Sequence, residues 1–231
     1  MYKKYTPKNN LTVACLLSFI MLFTATLLSA QTKYTFTSLA EKGSLEVLNR
    51  KATIVKEGSL IFLKLSQDKG EGLVWLPESK FQNGILSVRM RGKNVVQQSF
   101  VGIAFNGQND STFEAVYCRP FNFLATDSVR KIHAIQYIAH PIYTWKKLRE
   151  ERNAEFEKEI INPPNPDSWF TLTIRVDSDT VSAFIDSNKT PSLVVKRLTK
   201  DSVGKIGLFV GDNSGGDFEI MEVKTTKAKQ R

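Results

Sequence analysis

The residues best suited to chemistry lie in the stretch EAVYCRPFNF, residues 114–123. Strand alternation puts Tyr117 and Arg119 on one face and Glu114 on the other. Pro120 cannot donate a ladder hydrogen bond, so the strand should end near Arg119. Tyr117 and Arg119 are therefore expected at a strand end, where the sheet meets its loops.

A second polar and aromatic strand, KIHAIQYIAH, follows at residues 131–140. Alternation puts His133 and Tyr137 on one face, whereas Gln136 and the strand-end His140 are assigned to a second surface. Antiparallel pairing of the two strands would make their polar faces neighbours. The surface expected from this pairing consists of Tyr117, Arg119, His133 and Tyr137.

Planar donors beside flat aromatic rings suit a saccharide. Arginine offers a rigid fork of donors to paired hydroxyls, and tyrosine combines an apolar ring with a polar tip. The sequence therefore predicts oligo- or polysaccharide binding through Tyr117, Asn122, Gln136, Tyr137, His140 and Trp145. The alternative is a packed Arg119 satisfied by Glu114 or a backbone carbonyl, with the aromatic residues in the core.

Glycoside cleavage is the enzymatic alternative. In that hypothesis His133 or His140 is the acid/base and Arg119 stabilises developing negative charge. Glu114 is the one acid close to the expected surface. Glycosidases use two carboxylates about 5–10 Å apart, and the sequence has no E-x-D-x-x-E motif that would place them on one strand face.

One loop carries oxygen ligands of the kind that calcium prefers. The stretch GDNSGGDFE, residues 211–219, offers Asp212 and Asp217, although without EF-hand spacing. Adjacent glycines with Asn and Ser also form an ordinary tight turn. The interpretation is that no cofactor is required and that Ca²⁺ at this loop is a secondary option.

The formal net charge of the chain is +9, and part of this excess lies in the C-terminal KTTKAKQR. No dense Lys/Arg stripe with interleaved aromatic residues occurs, so a nucleic-acid partner is not expected. The two cysteines are Cys15 and Cys118. No internal disulfide is expected once the segment containing Cys15 is removed.

The N-terminus has the layout of a secretory signal peptide. Lys3, Lys4 and Lys8 precede an apolar run that begins at Leu11 and ends at a small residue, Ala30. We expect residues 1–30 to be cleaved and residues 31–231 to form one exported domain without a membrane span. An uncleaved anchor is the alternative, because the run approaches the length that a bilayer requires. The oligomeric state stays open.

The rest of the chain reads as about twelve short strands, including GILSVRMRG, SFVGIAF, WFTLTIRVD and KIGLFVG. They alternate apolar and polar residues, are rich in Val, Ile and Phe, and are bounded by turn residues. This pattern predicts an all-β sandwich or barrel. Residues 140–169 interrupt it with a helical middle, at residues 144–159, and a Pro-rich end. Such an insertion is typical of a functional or covering segment.

The segments FQNGILSVRMRG, SFVGIAFNGQND, EAVYCRPFNF, HAIQYIAHP and GKIGLFVGDNSGGDFEI resemble the concanavalin A-like lectin/glucanase superfamily. The resemblance covers residues 81–223 and is nearest to laminin-G-like exported bacterial domains, including 3-keto-disaccharide hydrolase and family 16 glycoside hydrolase-like domains. It implies an antiparallel jelly roll of two curved sheets with a concave face. The N-S-G-[IV]-x-x-R strand of the keto-disaccharide group is replaced by SFVGIAF. Arg119 would then take over the role of that arginine.

Three functional hypotheses remain at this stage. The first is a saccharide-binding or carbohydrate-active domain, and the second is a glycoside-cleaving enzyme. The third is a protein-interaction module in which the insertion at residues 140–169 docks a partner. The third hypothesis predicts a packed Arg119 without a pocket beside it.

Overall fold

Alternating apolar side chains draw the strands of this protein into two stacked antiparallel sheets, as a computed structural model shows. The structure describes residues 1–3, 31–200 and 202–226. Residues 4–30 of the predicted signal segment, residues 1–30, lie outside the described residues, so its cleavage stays a prediction. Within the described residues, no helix is both long and apolar enough to cross a membrane.

The described strands and α-helices follow one another along the chain with a single short 3-10 turn at Pro120–Asn122. In chain order they are β1 (Gln31–Thr35), α1 (Phe36–Glu41), β2 (Glu46–Leu48), β3 (Ala52–Glu57), β4 (Leu60–Asp68), β5 (Gly72–Trp75), β6 (Gly84–Arg91), β7 (Val101–Asn109), β8 (Thr112–Cys118), α2 (Ser128–Lys131), β9 (Ile135–Ala139), α3 (Trp145–Glu151), β10 (Glu157–Lys158), β11 (Phe170–Val176), β12 (Thr180–Ile185), β13 (Leu193–Lys196), β14 (Lys205–Val210) and β15 (Ser214–Thr225).

The first sheet has eight strands. Its order is β13-β12-β11-β6-β15-β4-β3, and β1 pairs with β15. The second sheet has seven strands in the order β10-β9-β8-β7-β14-β5-β2. Sequence neighbours often lie far apart in these orders, as in the Greek-key connections of a jelly-roll sandwich. The predicted all-β two-sheet sandwich is confirmed.

Strand β6 illustrates how alternation builds the core. Leu86, Val88 and Met90 are fully buried, whereas Ser87 and Arg89 between them are partly exposed. A strand points successive side chains to opposite faces, so one face of β6 packs on the partner sheet and the other meets solvent. The same alternation sets the core faces of β11 and β12.

Two of the alternating segments do not form strands over their whole length. The N-terminal segment YTFTSL, residues 34–39, alternates as a strand would, but it is divided because α1 begins at Phe36, which is buried in the core. The predicted strand over residues 131–139 begins only at Ile135. Asp127 accepts a hydrogen bond from the Arg130 amide at 2.7 Å and caps α2, which turns the chain before the strand. His133 therefore lies in the α2–β9 connection.

The insertion at residues 140–169 is present, but its helix is shorter than predicted. Thr144 caps α3, and the helix ends at Glu151. Beyond the helix the chain turns through Ala154, which has a φ of 60°. Phe156 then packs against Tyr137 with ring centroids 5.9 Å apart, and β10 joins the edge of β9. Residues 152–159, which were expected to continue the helix, thus form a turn and the short strand β10.

Candidate functional site

A row of side chains crosses the outer face of the seven-stranded sheet, the face turned away from the other sheet. The strand registers align Phe209, Gly102, Tyr117, Gln136 and Glu157 across five strands. Residues in register on neighbouring strands point to the same side of a sheet. The row therefore forms a continuous floor that is aromatic at one end and polar at the other.

Gly102 lets two rings of this floor meet. A side chain there would begin 2.5 Å from Tyr117 Cβ and 2.2 Å from the Val116 carbonyl oxygen. Without it, the rings of Tyr117 and Phe209 approach to 5.2 Å between centroids. The floor is thus smooth and aromatic at the point where β7 would otherwise present a side chain.

A cleft of about 490 Å³ lies above this floor. Its walls come from the loops before β7 and after β14, from the 3-10 turn with α2, and from α3. The side chains that line it include Glu71, Phe100, Tyr117, Arg119, Phe121, Asn122, Arg130, His133, Trp145, Arg149, Phe209 and Asp212. Its volume lies within the range of pockets that hold small ligands.

Arg119 is buried and is held by neutral acceptors. It donates to the Tyr117 hydroxyl at 2.9 Å, to the His133 carbonyl at 2.9 Å and to Gln136 Oε1. Tyr117 in turn donates to Gln136 Oε1 at 2.8 Å. Burial lowers the pKa of Arg119 and raises the pKa of Tyr117 to about 12. This network fixes the guanidinium at the base of the cleft.

Glu157 is the buried carboxylate beside Arg119. Only 2% of its side chain is exposed, and both of its oxygens accept from Arg149, at 3.0 and 2.7 Å. Arg119 Nη1 lies 3.6 Å from Glu157 Oε2. A paired fork of this kind fixes geometry as well as charge. Glu157 therefore fastens α3, which carries Arg149, to the edge of the sheet.

His133 is the titratable group between these charges. Its Nδ1 lies 2.8 Å from Glu157 Oε2, close enough for an ion pair but outside hydrogen-bonding angles. Burial lowers the pKa of His133, the Glu157 carboxylate opposes that shift, and the guanidiniums of Arg149 and Arg119 add to it. The imidazole is therefore neutral at neutral pH.

Arg130 and Trp145 form the upper wall. Arg130 donates to Asn122 Oδ1 at 3.2 Å and to the Phe121 carbonyl at 2.8 Å. Trp145, at the first position of α3, is 44% exposed, and the guanidinium of Arg149 lies 5.2 Å from its ring centroid. A partly exposed indole beside donors is a stacking platform for a flat ligand.

The opposite end of the cleft is acidic. Glu71 precedes β5 and Asp212 follows β14, and both line the cleft. Nε2 of His140 lies 3.3 Å from Glu71 Oε2, and its ring stacks on Phe113 at 4.9 Å. Asp212 accepts from the Gly70 amide and from the Asn213 side chain. Arg50 lies among the same loops, where its guanidinium donates to the Gly70 and Gly211 carbonyls at 2.7 and 2.8 Å, so a positive charge accompanies these two acids.

The structure brings five of the predicted catalytic and saccharide-binding residues to the cleft: Tyr117, Arg119, Asn122, His133 and Trp145. Gln136 lies directly beneath them, and His140 lies beside the acidic end. Whether these residues bind or catalyse stays a prediction. The sequence predicted that Tyr137 would lie on the same face as Tyr117. This prediction was wrong, because the register pairs Tyr117 with Gln136 and Val116 with Tyr137. Tyr137 therefore shares the face of Val116, and this face points into the sandwich.

Glu114 also points into the sandwich. It accepts from Arg197 at 2.6 Å, from the Tyr137 hydroxyl at 2.5 Å and from Asn106 at 2.7 Å. The side chains of Glu114 and Arg197 are 0% and 1% exposed. Glu114 and Tyr137 thus belong to a buried network between the sheets and do not line the cleft. The prediction that Tyr137 lies on the site surface was therefore wrong, whereas Glu114 lies, as expected, on the strand face opposite Tyr117 and away from the cleft.

The two predicted calcium ligands are engaged in different places. Asp217 pairs with Arg91, whose Nη2 lies 2.8 Å away, on the eight-stranded sheet. Asp212 lines the cleft beside the other sheet. Among the described residues, no three His, Cys, Asp or Glu side chains are grouped as a metal site would require. The structure therefore does not assemble the predicted pair into one site.

Sequence reasoning missed several cleft residues, namely Glu71, Phe100, Arg130, Arg149, Glu157 and Phe209. Phe209 lies in a predicted strand, and its alternation with Val210 could have placed it on the outer face. Arg149 and Glu157 lie in the insertion, and no local pattern pairs them. Their contact depends on the turn after α3 and on the pairing of β10 with β9.

No family model and no curated protein sequence matches the chain. Solved structures do. A Bacillus subtilis protein of unknown function with a galectin-like fold aligns with a TM-score of 0.57 and 13% identity, covering 84% of this chain and 94% of that one. The carbohydrate-binding module CBM66 of Bacillus subtilis aligns with a TM-score of 0.51 and 12% identity, covering 79% and 92%.

The exoplasmic/lumenal domain of VIP36, bound to Ca²⁺ and Man3GlcNAc, aligns with a TM-score of 0.51 and 11% identity, covering 81% of this chain and 86% of that one. The chain has the concanavalin A-like fold. At these identities the likeness concerns the fold alone, and it confirms the architecture that the sequence resemblance implied. Function has to be argued from the cleft.

Proposed function

We propose that this concanavalin A-like domain binds a saccharide in the cleft on the outer face of its seven-stranded sheet. The observation that carries the proposal is the combination of an exposed indole, an aromatic floor and fixed donors in one cleft. Trp145 offers an exposed ring to the C–H side of a sugar, and Arg130 offers donors to its hydroxyls. The almost fully buried Tyr117 belongs to the floor of the cleft, and Asn122 holds Arg130 in place. Two of the aligned structures are a carbohydrate-binding module and a domain bound to Man3GlcNAc, which supports the same class of ligand.

Export belongs to the same proposal. The apolar run that begins at Leu11, with lysines before it and Ala30 at its end, supports a secreted or cell-surface location. Saccharides at the cell surface or outside the cell would then be the ligands. Fractionation with an antibody, together with N-terminal sequencing of the exported form, tests cleavage after Ala30.

The binding test uses a panel of plant, algal and host glycans with and without Ca²⁺, followed by titration calorimetry on the strongest ligand. Trp145→Ala should weaken that ligand about tenfold, because stacking on an indole is lost. Ile142→Ala is the matched control, since Ile142 is 61% exposed in the same insertion and does not line the cleft. Equal affinity in the two variants would place binding elsewhere. An effect of chelator would support the calcium option.

One observation favours glycoside cleavage as a second candidate. His133 Nδ1 lies 2.8 Å from a buried carboxylate in the cleft wall, and a histidine so placed is suited to move a proton. Mass spectrometry of glycan digests would detect released products. Products that disappear in His133→Asn would establish an enzyme, whereas binding without products would leave a binding domain. The interaction-module hypothesis expected no pocket beside Arg119, and the cleft there argues for a small ligand instead.

A further inference from the structure

The basic end of the cleft holds more positive than negative charge. Three guanidiniums, those of Arg119, Arg130 and Arg149, line it together with the neutral His133. Glu157 is the carboxylate that contacts this group, and both of its oxygens are engaged by Arg149. Arg119 Nη1 lies farther from the same carboxylate, 3.6 Å from Glu157 Oε2. Arg149 and Arg119 therefore share one carboxylate, whereas the Arg130 guanidinium is bound to neutral oxygens.

Arg130 is the most accessible of the three. Its recorded acceptors are the Asn122 amide oxygen and the Phe121 carbonyl, and both of these are neutral. The residue is exposed, whereas Arg119 is buried. The charge of Arg130 is thus oriented by its neighbours without being neutralised by them.

Asn122 connects the two guanidiniums. Its Oδ1 accepts from Arg130 Nε, and its Nδ2 donates to the His133 carbonyl at 3.3 Å. Arg119 Nη1 donates to that same carbonyl at 2.9 Å. Arg119 and Arg130 are consequently held on one short hydrogen-bonded path, so their charges act on the same part of the cleft.

The charges along the cleft affect how a charged ligand would be oriented in it. Glu71 and Asp212 line the end formed by the loops before β5 and after β14. Arg50 lies beside these acids and offsets part of their charge, so a negatively charged ligand group is directed chiefly by its attraction to Arg130. A neutral sugar gains little from this attraction, whereas an acidic sugar is oriented by it.

We propose that the cleft selects an acidic saccharide, a uronate whose carboxylate contacts the Arg130 guanidinium while its ring lies against Trp145. A carboxylate is planar and matches the fork of an arginine, which favours it over a tetrahedral anion. The inference rests on the proposed saccharide binding and narrows its ligand class.

The test compares each of three oligouronates, of galacturonate, glucuronate and guluronate, with the same oligomer after methyl esterification. Esterification removes the charge and keeps the sugar chain. The acid form should bind at least about tenfold more tightly than its ester, as expected for a charge-assisted hydrogen bond. Its affinity should also fall as salt is raised, and that of the ester should not.

Arg130→Gln should reduce binding of the acid about tenfold and should reduce binding of the ester much less, because the ester loses a hydrogen bond to the guanidinium and no charge pairing. Lys131→Gln is the matched control, because it removes the same charge one residue away from a side chain that pairs with Glu159 and does not line the cleft. The affinity of Arg130→Lys for the acid should lie between those of the other two variants, since lysine keeps the charge and loses the paired donors of the guanidinium. The comparison of acid and ester on the unaltered protein remains decisive if a variant fails to fold.

Equal binding of acid and ester, or full affinity in Arg130→Gln, would overturn the acidic class. Binding of neutral glycans without binding of any oligouronate would do the same and would leave the proposed function standing. A chain that binds no saccharide of either kind would remove the proposed function together with this inference.

Discussion

Replacing Glu157 by glutamine tests the framework of the cleft most directly. The substitution keeps the shape of the side chain and removes its charge. Glu157 is 2% exposed and accepts two hydrogen bonds from Arg149, at 3.0 and 2.7 Å. In the variant, one amide oxygen remains for Arg149, and the position of the second oxygen is taken by an NH₂ group that faces a guanidinium.

The expected loss in the free energy of unfolding follows from the burial of the two partners. Removing one member of a buried ion pair costs about 3–5 kcal/mol, because the other charge is left unpaired. The side chain of Arg149 is 32% exposed, so water recovers part of its solvation. We therefore expect a loss of about 2–3 kcal/mol.

Equilibrium denaturation in urea measures this loss, and Glu159→Gln provides the control. Glu159 lies two residues away, is 52% exposed and pairs with Lys131 across 2.7 Å. A surface pair of this kind contributes about 0–1 kcal/mol. A loss below about 1 kcal/mol in Glu157→Gln, or equal losses in the two variants, would refute the buried role of Glu157.

The same variant should move the pKa of His133. Burial holds that pKa below its ordinary value, and Glu157 is the chief influence that opposes the shift. Removing the carboxylate should lower the pKa of His133 further, which NMR titration of the imidazole protons can follow because the chain has two histidines. A rise in the pKa of His133 would contradict the reasoning.

The direction of the accompanying pH effect is also fixed. The folded-state pKa of His133 lies below its unfolded value near 6.5. The neutral ring therefore contributes stability that is present above about pH 6.5 and is lost as pH falls through the folded pKa. Since Glu157→Gln lowers the folded pKa, the variant should lose more stability than the wild type between about pH 7 and pH 5.

Tyr117→Phe removes a hydroxyl whose pKa burial raises to about 12, so the wild type should lose more stability than the variant as pH rises from about 10 to 12, measured by thermal unfolding. The variant should still lose part of its stability, because burial also raises the pKa of Tyr137 and of Cys118. Glu114→Gln should cost about 3–5 kcal/mol in urea denaturation, because Arg197 is left buried without its carboxylate, and an unchanged midpoint would contradict that role. Gly102→Ala adds a methyl group 2.2 Å from the Val116 carbonyl oxygen and should cost about 1–3 kcal/mol. A ligand affinity unchanged in Gly102→Ala would show that the aromatic floor is not used.

The fold was predictable because its signal is local. Alternation in β6, β7 and β11 specifies which side chains face the core, and the turn residues between strands give their spacing. The order of strands in each sheet could not be read in this way. β6 pairs with β11 and β15, which are far away in sequence, and no alternating pattern identifies its partners.

The sequence predicted which site residues share a face within one strand, but not which residues of the neighbouring strand lie beside them. Tyr117 and Arg119 share a face by alternation, and the structure joins them through a hydrogen bond of 2.9 Å. Their neighbours on β9 depend on the register, and a difference of one residue exchanges Gln136 for Tyr137. The sequence suggested which residue types would meet and could not say which member of that pair would face the cleft.

The placement of charge separates a framework role from a binding role in this sandwich. Glu114 with Arg197 and Glu157 with Arg149 are paired carboxylates with almost no exposure, and each fastens a loop or helix to the seven-stranded sheet. The guanidinium of Arg130 donates instead to two neutral oxygens, those of the Asn122 side chain and the Phe121 carbonyl. A cation that is positioned without being neutralised gains most from an anionic ligand. The paired acids therefore set the geometry of the cleft, and the guanidinium held by neutral groups sets what it recognises.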